Sequence, residues 1–542
     1  MHDLVIRNAR IVDGTGAAWF WGDIAVDGDR IARITPRGGL RGLEAGQRID
    51  VRGLVVAPGF IDIQSHSRDE VLTGDARVIS KVTQGVTTEI FGEGESNAPA
   101  NRNTRGDDPP GPHDFSGPQG FDRWLTTMER RGVSVNVGSF VGAGTVRIYA
   151  KGMAQGPATP AELDTMRAVL RNAMADGAFG LASALIYPPN SFAGTDELIE
   201  VARAMAPAGG VYITHMRSEG DAWLEAIDEA IQIGKEAGVP VEIYHLKAGG
   251  RRNWDKTAAA IARIDSARAA GIDVQANMYP YVAGATGLSA CFPPWASADG
   301  QLLRNLADPA VRQRMRAEMD AATASWENLC RLGGPEGVMF VGFRKDGHQR
   351  LVGRRLSEVA AELGRDWQDV AMDLVLADSS RIETVFFLMS EENVRTKLRQ
   401  PWIKFGTDAG GEDPERVRGM THPRAYGTYP RILGRYVREE RVLTLEDAVR
   451  KASSAVAARL SIPDRGLIRP GFFADLVVFD PATIIDHATF ERPHQLSTGI
   501  LHVFVNGVAV VRDGRHTGAT PGRAVRGPGW TGRQERQRPQ IP

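Results

Sequence analysis

His215 and His245 are the residues from which a chemistry can be argued first. Each closes a short apolar run: Val211-Tyr212-Ile213-Thr214 before one, Val239 to Tyr244 before the other. Lys247 follows directly after the second. Neutral imidazole is the commonest metal-binding side chain, and zinc is its usual metal. On their own the two histidines read equally well as unrelated, one of them hydrogen-bonded in a core. What separates them decides between these readings. Trp223, Leu224, Ile227 and Ile231 recur at helical spacing, with Glu225, Asp228, Glu229 and Lys235 on the other side, and Gly238 stops the pattern. The stretch is therefore strand, helix, strand. Parallel strands need such a crossover, and it is right-handed. In a (β/α) barrel the strand C-termini face the active site, so the two imidazoles would stand side by side at its mouth.

Composition narrows the function classes. The chain has 542 residues, 42% hydrophobic and 24% charged, with a formal net charge of −1. That is ordinary globular composition. It gives no electrostatic case for nucleic acid or an anionic membrane. Cys291 and Cys330 are the only cysteines, so no disulfide framework and no cysteine zinc site is expected. The start, Leu4 to Ile6, reads as a strand rather than a leader, and no apolar run approaches the ~20 residues of a membrane span. A cytoplasmic protein is the default expectation, with oligomeric state open.

The remaining elements follow a barrel rhythm. Short strands are expected at Leu4–Ile6, Arg10–Val12, Asp23–Val26 and Arg30–Ile34, with Asp27-Gly28-Asp29 as a hairpin turn. The first barrel strand runs from Pro58 to His66, the second from Val86 to Gly92 and into Glu93-Gly94-Glu95. Residues 100–120 read as a loop over the mouth. Val133–Gly142 and Ala178–Leu185 are the third and fourth strands, and Thr195 caps a helix with Leu198, Val201 and Met205 on its apolar face. The fifth and sixth strands are those of His215 and His245. Ala258–Ala270 is a helix, Ile272–Tyr281 the seventh strand, and Trp402–Thr407 the eighth, ending on Asp408. Residues 288–400 are too long for a connection and read as an insertion with helices at Ala310–Ala322 and Leu356–Leu363. Leu445–Leu460 is helical behind Thr444. Strands then return at Ala474–Phe479, Val503–Val505 and Val508–Val511, the last two joined by Asn506-Gly507. The expected fold is a (β/α)8 TIM-like barrel, residues 58–462, with a small β-sandwich domain built from both chain ends, 1–57 and 463–542. The tail from Thr517 is expected to be poorly ordered at its end.

Taken together, the motifs resemble the amidohydrolase superfamily, and more narrowly its N-acyl-D-amino-acid deacylases (D-aminoacylases). The matching pieces are Pro58-Gly59-Phe60-Ile61-Asp62, Gln84-Gly85-Val86-Thr87-Thr88, Thr214-His215-Met216-Arg217, Tyr244-His245-Leu246-Lys247, Tyr279-Pro280-Tyr281, Gly406-Thr407-Asp408, His422-Pro423-Arg424 and Gly427-Thr428-Tyr429-Pro430-Arg431. Terminal pieces match too, Asn8 to Gly14 and Gly471 to Val477. Much of 290–400 does not. The resemblance implies zinc in a barrel mouth held by His215 and His245, and Asp408 as general base. It implies that Lys247, Tyr281 (or Tyr279) and Arg424 hold the carboxylate of a small N-acyl-D-amino acid.

Two departures stand out. The family has His-x-His after strand one, where this chain has Gln64-Ser65-His66. The deacylases have a metal-binding cysteine after strand two, where this chain has Gly94 between Glu93 and Glu95. A carboxylate can replace a thiolate as an anionic ligand, so Glu93 is the expected ligand, with Glu95 the alternative. One zinc ion on Glu93, His215 and His245 follows, with a second site in doubt. His66 stays open between second-site ligand, hydrogen-bond donor and structural residue, and His422 between an outer role and a structural one. Other expected readings are hydrolysis of a cyclic amide or dipeptide, and a non-catalytic ligand-binding relative.

Overall fold

The computed structural model describes residues 1–105, 113–321 and 326–532. Eight parallel strand positions close a barrel. Phe60–Asp62, Val86–Phe91 and Asn136–Ser139 form one arc; Val141–Gly142, Gly180–Ala184, Val211–His215, Val241–Ile243, Val274–Met278 and Ile403–Phe405 form the other. The third strand is broken at Phe140, so its two halves pair with different neighbours, Val86–Phe91 on one side and Gly180–Ala184 on the other. Closure comes from the first and last strands, where Ser65 bridges Ala409 and the Asp408 amide donates to the Gln64 carbonyl at 2.8 Å. Apolar residues buried on both faces of these strands are what a parallel sheet under helices requires.

The helix Trp223–Ala237 separates His215 from His245 as expected, and Gly238 ends it at φ +69°. Its packed face differs from the one first read. Trp223, Ala226, Ile227, Ala230, Ile233, Gly234 and Ala237 are buried, while Leu224 and Ile231 are only partly so. The small residues let the helix lie close on the sheet: a Cβ on Gly234 would stand 2.2 Å from a Val241 methyl. Thr195 is not a cap. It lies inside the helix Thr195–Arg203 and its hydroxyl donates to Glu229 at 2.8 Å.

Both chain ends join one nine-stranded sheet. Val55–Pro58, just before the first barrel strand, pairs parallel to His2–Ile11 and antiparallel to Leu476–Phe479. Leu4, Ile24, Ile31, Leu476 and Phe504 share its apolar core. The two short strands expected near the start are one, His2–Ile11, whose register shifts at Asn8, held at φ +59°. The strand Ala45–Asp50 was not foreseen; its burial pattern is mostly polar and exposed. The hairpin at Asn506-Gly507 forms, with both residues at positive φ.

The insertion has an architecture of its own. It includes an antiparallel sheet of Ala283–Gly287, Val338–Gly342 and Glu383–Phe387, so it begins on a strand before residue 288, and a separate apolar core backs it. The expected helices are present at Pro309–Asp320 and Leu356–Leu363. Cys291 and Cys330 lie 5.3 Å apart at Cα and are joined as a disulfide, which corrects the expectation that the cysteines build none. The tail lies along the barrel through residue 532: Val525 donates to the Val137 carbonyl at 2.7 Å, and Arg526 pairs with Asp122 at 2.7 Å. The end expected to be poorly ordered, 533–542, and part of the expected mouth loop, 106–112, lie outside the described residues. Among the described residues no helix is long and apolar enough to cross a membrane.

Candidate metal centre and active site

Three strand ends bring Glu93, His215 and His245 together. One ligand atom from each lies within 4.8 Å of the others. Glu93 Oε1 is 3.1 Å from His215 Nδ1 and 3.3 Å from His245 Nε2, and the two rings meet edge to face at 4.4 Å. His66, Glu93 and Asp408 form a second such group sharing the same carboxylate. His66 Nε2 is 2.8 Å from Asp408 Oδ1 and 3.4 Å from Glu93 Oε2. Gln64 donates from Nε2 to Glu93 Oε2 at 2.5 Å, so it braces the carboxylate through its amide nitrogen. Glu95, the alternative ligand, points away: more than half of its side chain is exposed and it pairs with Arg68. Two imidazoles and one anionic oxygen, buried and convergent from rigid strand ends, are a donor set that fits zinc.

The backbone at the site is constrained. His245 and Asp408 are non-glycine residues at φ +31° and +52°. Such conformations cost of order 1–3 kcal/mol each and persist only where the surroundings hold them. Around His245 the holding group is Asn277, whose Oδ1 accepts from the His245 amide and whose carbonyl accepts from Leu246. Around Asp408 it is a buried ion pair. Lys81 Nζ reaches Asp62 Oδ2 at 2.8 Å, Thr407 Oγ1 at 2.5 Å and the Ala409 carbonyl at 2.6 Å, while Asp62 Oδ1 accepts from the Thr407 amide at 2.9 Å. The residues on each side of Asp408 are thus tied to the end of the first strand.

With this geometry in view, a family model described as the amidohydrolase family matches residues 47–511. The chain belongs to that family. The D-aminoacylase of Alcaligenes xylosoxydans xylosoxydans is 37% identical over 531 residues, covering 96% of this chain and 97% of its own. The N-acyl-D-glutamate deacylase of the same organism is 33% identical over 518 residues, covering 94% and 93%. A D-aminoacylase crystal structure superposes with a TM-score of 0.80 at 34% identity, covering 97% of this chain and 100% of its own. An N-acyl-D-glutamate deacylase from Bordetella bronchiseptica, complexed with zinc and a phosphonate mimic of the tetrahedral intermediate, gives 0.79 at 29% identity, covering 97% and 99%.

Electrostatics in this amidohydrolase follow from burial opposed by pairing. Burial works against the charge of Glu93, but the three histidines outweigh it and hold the carboxyl well below its usual range. Burial likewise opposes Asp408, and Arg424, whose Nη1 is 2.6 Å from Asp408 Oδ2, keeps it below its ordinary value. Asp408 is therefore ionised and able to accept a proton throughout the neutral range.

The three expected substrate residues fare differently. Arg424 is buried beside the cluster, its guanidinium 4.6 Å over the Tyr279 ring. Among the described residues its Nε is buried without a hydrogen-bond partner of normal geometry, and the buried Tyr279 hydroxyl has the Arg424 guanidinium as its neighbour. Tyr281 is not brought to the cluster. Its hydroxyl lies 3.4 Å from Pro423 O and Asp486 Oδ2, and Arg431 covers its ring; Tyr279, the alternative, is the one of the two that lies beside Arg424 and His245. Lys247 reaches the cluster but is engaged, with Nζ 2.6 Å from both oxygens of Glu219. Both ring nitrogens of His422 are taken up by backbone: Nδ1 accepts from the Arg424 amide at 3.0 Å and Nε2 meets the Ala283 carbonyl at 2.8 Å. Sequence reasoning missed Glu219, four residues after His215, and Tyr187, whose ring is 5.4 Å from that of His215 and whose hydroxyl donates to Thr286. The one signal for Glu219 was its place in the loop after a strand that ends on a histidine.

Proposed function

We propose that this chain hydrolyses the amide bond of N-acyl-D-amino acids, releasing a carboxylate and the free D-amino acid, with one zinc ion held by Glu93, His215 and His245. The convergence of these three side chains next to an ionised Asp408 carries the reading. Zinc bound there supplies Lewis acidity to the scissile carbonyl and makes water a competent nucleophile near neutral pH. Asp408 accepts the proton of the attacking water and returns it to the leaving nitrogen. His66, hydrogen-bonded to Asp408 Oδ1, orients that carboxylate. Arg424 and the Tyr279 hydroxyl beside it are the donors for the substrate α-carboxylate, since the buried Arg424 Nε needs an acceptor. Lys247 is not counted among them while Glu219 holds it. His66, Glu93 and Asp408 would be the residues to hold a second ion, and Asp408 would then be occupied as a ligand rather than free as the base.

The test compares N-acetyl-D-methionine, N-acetyl-D-glutamate and a hydantoin with the zinc-loaded protein. Release of D-amino acid that chelation abolishes and zinc restores is expected, and Asp408→Asn should lose at least ~10²-fold in kcat while keeping its metal. Full activity of Asp408→Asn removes Asp408 as the base. Turnover of the hydantoin alone assigns the chain to cyclic amides.

A further inference from the structure

We propose that Glu219 is a positioning residue that fixes both metal-binding imidazoles from behind and so sets the affinity of the site for zinc. The inference rests on the metal set proposed above.

The two histidines enter the cluster in opposite ring orientations. His215 turns Nδ1 to Glu93 Oε1 and Nε2 to Glu219 Oε2, the latter at 3.5 Å. His245 turns Nε2 to Glu93 Oε1 and Nδ1 to Glu219 Oε1, at 2.9 Å. Different nitrogens thus face the same two carboxylates. A neutral imidazole carries one ring proton, and the nitrogen that binds a metal must be bare. The proton then sits on the far nitrogen and needs an acceptor. A carboxylate in that place fixes the tautomer and the ring angle and raises ligand basicity. Here one carboxylate serves two ligands. For His245 the contact has hydrogen-bond length. For His215 the 3.5 Å approach is not a hydrogen bond of normal geometry; among the described residues its buried Nε2 has no hydrogen-bond partner, and Glu219 Oε2 is the carboxylate facing it.

Glu219 is itself held on every side. It is 4% exposed. Lys247 Nζ donates to both of its oxygens and lies 2.7 Å from His245 Nδ1. A protonated Nδ1 and the Lys247 ammonium are both donors and cannot keep a 2.7 Å approach, so in the metal-binding tautomer Lys247 has to turn away from the ring and onto the two Glu219 oxygens. The backbone is pinned from the insertion. Glu327 Oε2 accepts from the Ser218 hydroxyl at 2.7 Å, the Glu219 amide at 2.6 Å and the Gly220 amide at 2.7 Å. The Glu219 carbonyl accepts from Gly249 at 2.6 Å. Two neighbouring loops and the insertion therefore aim this carboxylate at the backs of the two rings.

The experiment is zinc competition with a chromogenic chelator on metal-stripped full-length protein, for wild type, Glu219→Gln, Glu219→Asp, Glu219→Gln with Lys247→Met, Glu327→Gln and Glu93→Ala. Glu219→Gln should weaken zinc binding ~10–100-fold, and Glu219→Asp should recover part of it. The double variant should stay weak. Wild-type affinity in folded Glu219→Gln, with only kcat/KM reduced, overturns the proposal. So does recovery in the double variant, which would mean that Glu219 serves only to offset Lys247. If Glu219→Gln does not fold, Glu219→Asp and Glu327→Gln decide: weaker zinc binding in both is expected, and wild-type affinity in both overturns the inference. Unchanged zinc binding by Glu93→Ala would instead refute the metal set itself.

Discussion

Replacing Lys81 by Met tests how Asp408, the proposed general base, is held. Lys81 and Asp62 have no side-chain exposure, and the ammonium contacts four oxygens, on Asp62, Ser65, Thr407 and Ala409. Removing one partner of a buried ion pair costs roughly 3–5 kcal/mol, because the other charge is left uncompensated. Asp62 would keep its donors from Thr407 and the Gln64 amide but lose its counter-charge. The double variant Lys81→Met with Asp62→Asn removes both charges of the pair, taking from the buried Glu89 one attractive and one repulsive neighbour, and an asparagine can keep the acceptor toward the Thr407 amide and donate to its hydroxyl. It should therefore be more stable than Lys81→Met alone, against simple additivity. Activity should follow geometry. With the Ala409 carbonyl left to the His66 amide and two long hydroxyl contacts, Asp408 can relax from φ +52°, and a displacement of about 1 Å costs on the order of 10²-fold in rate. Urea unfolding read by tryptophan fluorescence gives the stability, and amino-acid release from N-acetyl-D-methionine gives kcat. A loss below about 1 kcal/mol, the value of an exposed pair, would refute the reasoning. So would a double variant less stable than the single one.

Other consequences can be measured on the same preparations. Glu93→Ala should carry well under one zinc per chain by elemental analysis and lose activity with it, whereas Glu95→Ala should keep both. Arg424→Met should lower kcat/KM for N-acetyl-D-amino acids ~10²-fold, as a charge-assisted bond worth about 1.5–3 kcal/mol disappears. The corresponding amides, which lack the α-carboxylate, should be affected less. Lys397 is buried, its ammonium is pushed down to about 7 by burial, and it donates to the Leu246 carbonyl. From about pH 7 up to its ordinary 10.5 the unfolded chain holds a proton that the folded chain has released, so wild-type stability gains over that window. Lys397→Met should lack this gain, and equal pH slopes in urea midpoints would refute the burial argument.

The barrel was legible because its strands are short apolar runs that stop on polar residues. His215, His245 and Asp408 were found because each ends such a run, and Glu93 because it follows the second. What stayed hidden depends on contacts between distant segments. Lys81 lies outside every motif, and its role exists only because the chain returns at Thr407 and Ala409. Tyr279 and Tyr281 flank one proline, and nothing local says which faces the mouth. Arg431 and Asp486 draw Tyr281 away, and Asp486 lies 205 positions further on. The cysteine pair failed for a similar reason: 39 positions of insertion had to fold back before the two could meet.

Charge pairing changes how the substrate site must be understood. Read from motifs, Lys247 and Arg424 are two free cations waiting for a carboxylate. In the folded chain both are already matched, Lys247 by Glu219 and Arg424 by Asp408. Two unmatched cations in so buried a place would cost several kcal/mol each, so the pairing is what allows them to be there. The two pairs are not equivalent toward a ligand. Both Glu219 oxygens are within 2.6 Å of Lys247, and drawing the lysine off would disturb the backing of His245. Arg424 contacts Asp408 through Nη1 and, among the described residues, keeps a buried Nε without a hydrogen-bond partner, next to the Tyr279 hydroxyl. An incoming α-carboxylate can therefore gain bonds on the Arg424 side while the Asp408 pair stays intact. On this reasoning, carboxylate recognition and the positioning of the base meet in one guanidinium, and selectivity for acids over amides should respond to Arg424 far more than to Lys247.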